Sequence, residues 1–279
     1  MNMLAVLPAL CAIIALSLSI LAVYRQPIRP LNKSFGILCL ATFNWQLCWA
    51  ISYWLTVPSQ KDLIIRIAFS SIVFIPVLYY EFTSRFLGLT GELRRVTYSY
   101  FVSALFLLLT WTSNHYVEGY WEFQWGIYGK AGPLYPLFSL FVISVIIRTL
   151  YLLKKETFRK GLNAFEKNRR RFVFAAYILY CAASVELLIN YGYDFYPVGV
   201  LFILSSASVM ASAIVKYRLM DVNVAVTRTS LFIVTYTFVL GVPFTIAYWG
   251  HDRLVSIFGN SWWVIPLGAS TLLATAGPF

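Results

Sequence analysis

Charge is scarce in this chain. Aspartate, glutamate, lysine and arginine make up 12% of its 279 residues, against 60% for the apolar types. A soluble domain of this length would carry roughly twice that charge, which excludes an ordinary water-soluble globule. Histidine is scarcer still, with His115 and His251 the two present. That is too few for an intramembrane metal site built from imidazoles and carboxylates. The four cysteines, Cys11, Cys39, Cys48 and Cys181, form no Cys-x-x-Cys pair and read as small apolar packing residues. Gly-x-Ser-x-Gly, the P-loop and Gly-x-Gly-x-x-Gly are all missing. A retinal protein needs a mid-helix lysine late in the chain for its Schiff base; Lys216 stands at a span end instead. The expectation is a chain with no enzymatic activity of its own, no catalytic residue, no cofactor and no metal.

What the chain does have is a ladder of apolar runs. A helix needs about 20 apolar residues to cross about 30 Å of hydrocarbon. Runs of that length fall at 4–24, 34–57, 63–88, 96–113, 134–153, 172–190, 198–216, 229–249 and 262–279. The apolar/polar alternation of a membrane barrel is missing, so the fold class is all-α. It is a polytopic transmembrane bundle of a seven-helix unit plus two further spans, about nine helices in all. The first run lacks a basic n-region and a small-residue cleavage site, so it reads as a membrane helix rather than a signal peptide.

Basic residues set the orientation. Of the 22 lysines and arginines, only Lys61, Arg66, Lys130 and Arg253 lie in one set of alternate loops. The rest gather in the other set, most densely from Arg148 to Arg171. The positive-inside rule then places the N-terminus outside and the C-terminal end in the cytoplasm. The +11 net charge is explained by these short loops, which meet anionic headgroups of the lipid bilayer. No nucleic-acid partner is expected.

Polar residues inside the runs are the leads to function, because charge in a bilayer costs several kcal/mol unless paired. Glu81 and Arg85 are spaced i, i+4 and can pair on one helix face. Pro76 should kink the same helix. Together they are candidates for a moving part. Glu186 and Asn190, again i, i+4, have no cation on their own helix. Arg66 is a candidate partner, and so is a ligand. Asn44 and Gln46 either line a cavity or glue helices together. The longest outer loop, 114–136, is rich in aromatics, acids and glycines. Its Trp121, Trp125 and Tyr128 either cap a ligand pocket with Glu186, Asn190 and Arg66, or form an interfacial aromatic belt. His251-Asp252 reads as part of a polar loop.

Trp125-Gly126 followed by Ala131-Gly132-Pro133-Leu134-Tyr135 resembles the N-terminal seven-transmembrane sensor region of bacterial membrane histidine kinases. So do Pro76 with Tyr80-Glu81-Phe82 and Phe86-Leu87-Gly88, and the exit Lys216-Tyr217-Arg218-Leu219-Met220-Asp221-Val222. The resemblance covers roughly 5–225. It implies a sensor domain over 1–222, followed at 223–279 by a juxtamembrane segment and two more helices. It also implies a multi-pass protein of the inner (plasma) membrane, a homodimer, an unknown small ligand and a cytoplasmic kinase or cyclase output. No residue matches a phosphoacceptor or ATP-site motif, so kinase activity does not carry over. The chain reads as the input half of a sensor, ending before any transmitter. The rival reading is a transporter whose path is lined by Glu186, Glu81, Asn44 and Gln46. No internal repeat supports it.

Overall fold

The computed structural model describes residues 3–23, 29–216, 243, 247 and 250–275. Among the described residues up to 216 there are eight α-helices: α1 (Val6–Val23), α2 (Pro30–Ser52), α3 (Pro58–Ile72), α4 (Ile75–Phe86), α5 (Leu93–Thr112), α6 (Tyr135–Thr157), α7 (Ala164–Ala182) and α8 (Gly199–Lys216). Helix α7 continues into a 3-10 turn at Ala183–Tyr191, and α3 and α4 are two halves of one span. Val6–Val23, Pro30–Ser52, Pro58–Phe86, Tyr135–Thr157 and Ala164–Tyr191 are each long and apolar enough to cross a membrane. Gly199–Ile214 is a shorter apolar helix. With α5, these account for the seven expected spans. The eighth expected span, 229–249, lies outside the described residues apart from positions 243 and 247, as does the exit segment beyond Lys216. Part of the ninth is a helix at Val264–Thr275. His251 begins a helix, His251–Phe258, rather than lying in a loop.

Helix α4 is the hub of the bundle. It packs on α2, α5 and α6, while α8 packs on both α7 and α1 and so closes the ring. One core joins α1, α2, α4, α7 and α8 through residues such as Leu7, Phe35, Phe82, Tyr177 and Ile203. A second core joins α3, α5 and α6 to the long loop through Phe69, Phe106, Tyr116 and Phe138. The outward faces of α5 and α6 leave Phe101 70%, Leu140 64% and Ile147 61% exposed. Such apolar faces would be a liability in water. In a bilayer they meet lipid chains.

The loop between α5 and α6 is more ordered than an aromatic belt would be. Val117–Phe123 (β1) pairs antiparallel with Gly126–Ala131 (β2), in register Phe123↔Gly126. The turn is therefore the two residues Gln124 and Trp125. An irregularity between Val117 and Tyr120 falls at Gly119, whose φ of 110° suits a bulge. At the hairpin's base the Gly132 N–H donates to the Tyr116 carbonyl at 2.9 Å. A Cβ on Gly132 would overlap the carbonyl oxygens of Asn114 and His115, and backbone cannot yield as a side chain can. Gly132→Ala is expected to lower stability by about 1–3 kcal/mol, read as a lower melting temperature in detergent. An unchanged melt would show that the strand base is free to shift.

The break between α3 and α4 is built by named residues. Pro76 sits in the first turn of α4, where its missing N–H and fixed φ are tolerated. The Val73 carbonyl, freed at the break, accepts from the Ser103 hydroxyl of α5 at 2.7 Å. Asn44 of α2 donates to the Ile67 carbonyl at 3.2 Å and to the Ser71 hydroxyl at 2.7 Å. The expected kink is there, and Asn44 acts as its glue. Gln46 is buried, with its Oε1 unpartnered.

Candidate functional site

The 3-10 turn at Ala183–Tyr191 brings Glu186 and Asn190 beneath the hairpin. Both are buried, at 6% and 3% exposure. Glu186 Oε1 accepts from the Gly199 N–H at 2.6 Å, and Oε2 accepts from the Tyr128 hydroxyl at 3.0 Å. The first of these puts the carboxyl on the N-terminus of α8, where unpaired N–H groups and the helix dipole favour an acidic side chain. A Cβ at position 199 would overlap the Glu186 carboxyl and push it from its place. The second ties Glu186 to β2. Tyr128 in turn meets Trp49 of α2 edge-on, with ring centroids 4.3 Å apart.

These residues line a cavity of about 80 Å³. Its walls include Trp45 and Trp49 of α2, Ala68 and Phe69 of α3, Phe138 of α6 and Tyr180 of α7. Ile75 and Pro76, at the start of α4, also border it. The cavity thus reaches from the hairpin to the break in the third span. Of the expected ligand residues, Glu186, Asn190 and Tyr128 stand together on its wall.

The two tryptophans hold the roof. Trp121 Nε1 donates to the Asn190 carbonyl at 3.0 Å, and Lys130 lies over the Trp121 ring at 5.1 Å. Trp125 Nε1 donates to Asp194 at 2.9 Å, and its ring stacks on Phe123 at 4.9 Å. They clasp the hairpin to segment 190–196 and do not line the cavity.

Arg66 differs from the expectation. It pairs with Asp62 at 2.7 Å, one turn away, and donates to the Thr110 carbonyl and to Asn114 Oδ1. The carbonyls that end α5 have no helical partner of their own, and a nearby guanidinium satisfies them. Arg66 is a clamp on α5, not the counter-ion of Glu186.

At the opposite, basic end, the Glu81–Arg85 pair forms at 2.7 Å. Glu81 also accepts from the Tyr100 hydroxyl of α5 at 2.5 Å. Beside it lies a cluster that sequence reading missed. Glu92, just before α5, accepts from Tyr80 of α4, from Arg95 of α5 and from both Nε and Nη2 of Arg148 on α6. Burial pushes the Glu92 carboxyl up, but hydrogen bonds from Arg148, Tyr80 and Arg95 outweigh it and hold the group at about 2. The available signal was a lone acid in the basic stretch Gly91-Glu92-Leu93-Arg94-Arg95.

Among the described residues, no group of three or more histidines, cysteines or acids could hold a metal ion. The chain is thus a bundle of membrane-length helices with a partly open, largely apolar cavity at one end and an ionic cluster at the other. Residues 7–223 match the family described as the N-terminal 7TM region of histidine kinase. The chain belongs to that family: it is a multi-pass membrane protein carrying the sensor input module associated with histidine-kinase output domains, a region not itself catalytic. Searches of curated proteins and of solved structures returned no match.

Proposed function

We propose that the chain senses a small ligand in the cavity beneath the hairpin and passes the change along α4 to a cytoplasmic kinase or cyclase output. The observation that carries this is the course of α4. Its first residues, Ile75 and Pro76, border the cavity, and its later residues Tyr80, Glu81 and Arg85 make the ion pairs and hydrogen bonds at the basic end. A helix broken at one end and tied ionically at the other has two places to change and a rigid rod between them. A ligand that fits one arrangement better than the other shifts the population.

In this reading the hairpin faces outside, the N-terminus is outside, and the basic end lies in the cytoplasm. The host is the plasma membrane. Residues 1–222 form the sensor unit, and 223–279 connects it to the output. A homodimer is the working assembly. Glu186, Asn190 and Tyr128 serve the input, while Pro76, Glu81 and Arg85 serve transmission.

Ala68→Leu tests the role of the cavity. Ala68 is 2% exposed on its wall, and three added carbons would fill much of the space. Fused to a histidine-kinase transmitter, this variant is expected to change basal autophosphorylation several-fold, about 1 kcal/mol of bias between the two states. Unchanged output from a folded variant would remove the cavity from the signalling path.

A further inference from the structure

The cavity has a one-sided chemistry. Among the described residues, no lysine, arginine or histidine lines it. Its polar groups include the Glu186 carboxyl and Asn190, whose Oδ1 is buried without a hydrogen-bond partner. The amide nitrogen of Asn190 points back to the Glu186 carbonyl at 3.3 Å, which leaves the oxygen as the free end. A buried acceptor left unpaired is costly and marks a place where a donor is wanted.

Glu186 has capacity to spare. It accepts from the Gly199 N–H and the Tyr128 hydroxyl and also meets the Val200 backbone N–H, and a carboxylate offers about four acceptor sites. Among the described residues Glu186 forms no ion pair. The nearby cations are engaged elsewhere: Arg66 with Asp62, Lys61 with Glu122 and Lys130 with Glu118. The rest of the wall mixes aliphatic residues such as Ile65, Ile72, Val142 and Leu187 with aromatic rings. Trp49, Phe69, Tyr128 and Phe138 bring ring surface, whose faces attract cations, and an apolar site strengthens that attraction.

We infer that the ligand of this cavity is a small alkylammonium ion, with its charge against Glu186 and its methyl groups against the rings. This rests on reading the cavity as the input site and names the ligand class. A cavity of about 80 Å³ has room for ions from methylammonium to trimethylammonium.

The test uses the whole chain in lipid nanodiscs, titrated with methylammonium or trimethylammonium chloride. Isopropanol and tert-butyl alcohol serve as neutral probes of similar size, and sodium chloride as the ionic control. Trp45 and Trp49 on the wall report binding by their emission, and the melting temperature reports it independently. The expected result is saturable binding of the ammonium ions and not of the alcohols. Glu186→Gln should weaken it roughly tenfold or more, as loss of a charged hydrogen-bond acceptor implies. Glu122→Gln, a surface acid on the hairpin, should leave it unchanged.

Ala68→Leu should also abolish binding. It keeps the test decisive if Glu186→Gln fails to fold. Binding that survives both variants, or that Glu122→Gln removes equally, overturns the assignment. Binding of the alcohols alone overturns the ligand class. In either case the Ala68→Leu effect on kinase output still decides, separately, whether the cavity is the input site.

Discussion

Arg148→Met should loosen the basic end of the bundle and remove a pH dependence along with it. Arg148 gives Glu92 two hydrogen bonds from α6, while Tyr80 and Arg95 supply the others. Methionine keeps the apolar stem and deletes the charge. A hydrogen bond to an ionised group is worth about 1.5–3 kcal/mol, and breaking a buried ion pair about 3–5 kcal/mol. The Arg148 side chain is 35% exposed, so screening by solvent brings the expected loss down to about 2 kcal/mol. The pH dependence follows from linkage. A carboxyl held at about 2, below its ordinary value of 4.5, adds stability that is fully present above 4.5 and fades as pH falls towards 2. Detergent melts of the native chain should therefore drop across that window, and the Arg148→Met variant should drop less. Parallel curves for the two proteins would show that Glu92 does not draw its stabilisation from Arg148.

The same variant bears on signalling. Glu92 joins α4 to α5 and α6, so loss of Arg148 loosens α4 at the end from which, in the proposed reading, output would be taken. In a fusion with a kinase transmitter, Arg148→Met should shift basal autophosphorylation in the same direction as Glu81→Gln. Both release α4 from a neighbour. Opposite shifts would separate the two clusters.

The spans were legible because a bilayer permits few alternatives. Each crossing must bury its backbone hydrogen bonds in a helix of about 20 apolar residues, and that length shows plainly in the sequence. The break at Pro76 was legible because proline removes a hydrogen-bond donor wherever it stands. Glu81 and Arg85 were legible because i, i+4 neighbours meet on any helix. Glu186 stood out as a span acid without a cation, and Tyr128 and Asn190 do join it.

What stayed hidden depends on contacts between distant segments. Glu92 and Arg148 lie 56 positions apart, and no local pattern pairs them. Arg66 was aimed at the wrong target because sequence shows its charge but not the frayed carbonyls at the end of α5. The hairpin did leave a trace, since Val117 to Phe123 mixes β-branched and aromatic residues with exposed acids. Its aromatics read equally well as an interfacial belt. The rings that wall the cavity, Phe69, Phe138 and Tyr180, come from three helices and look like any core aromatic until the bundle is assembled.

Glu186→Leu should be the most damaging single change at the hairpin end, and its contrast with Glu186→Gln carries the argument. Leucine leaves the Gly199 N–H and the Tyr128 hydroxyl buried and unpaired. Each orphaned group costs about 1–3 kcal/mol, so the expected loss is about 3–5 kcal/mol, near the upper range for a single substitution. Glutamine can keep both contacts. Its Oε1 accepts from Gly199, and its amide donates to Tyr128, whose hydroxyl can rotate to accept. Stability should then fall by no more than about 1 kcal/mol, while the negative charge is gone. The pair of variants thus separates what the carboxyl does for the fold from what it does for a cationic ligand. Detergent melts should rank native, glutamine and leucine in that order, with the larger gap before leucine. Equal melts for native and leucine proteins would mean that the hairpin, segment 183–191 and α8 are not joined through this residue. The hairpin would then have no hold on the bundle through Glu186 by which to report an occupied cavity.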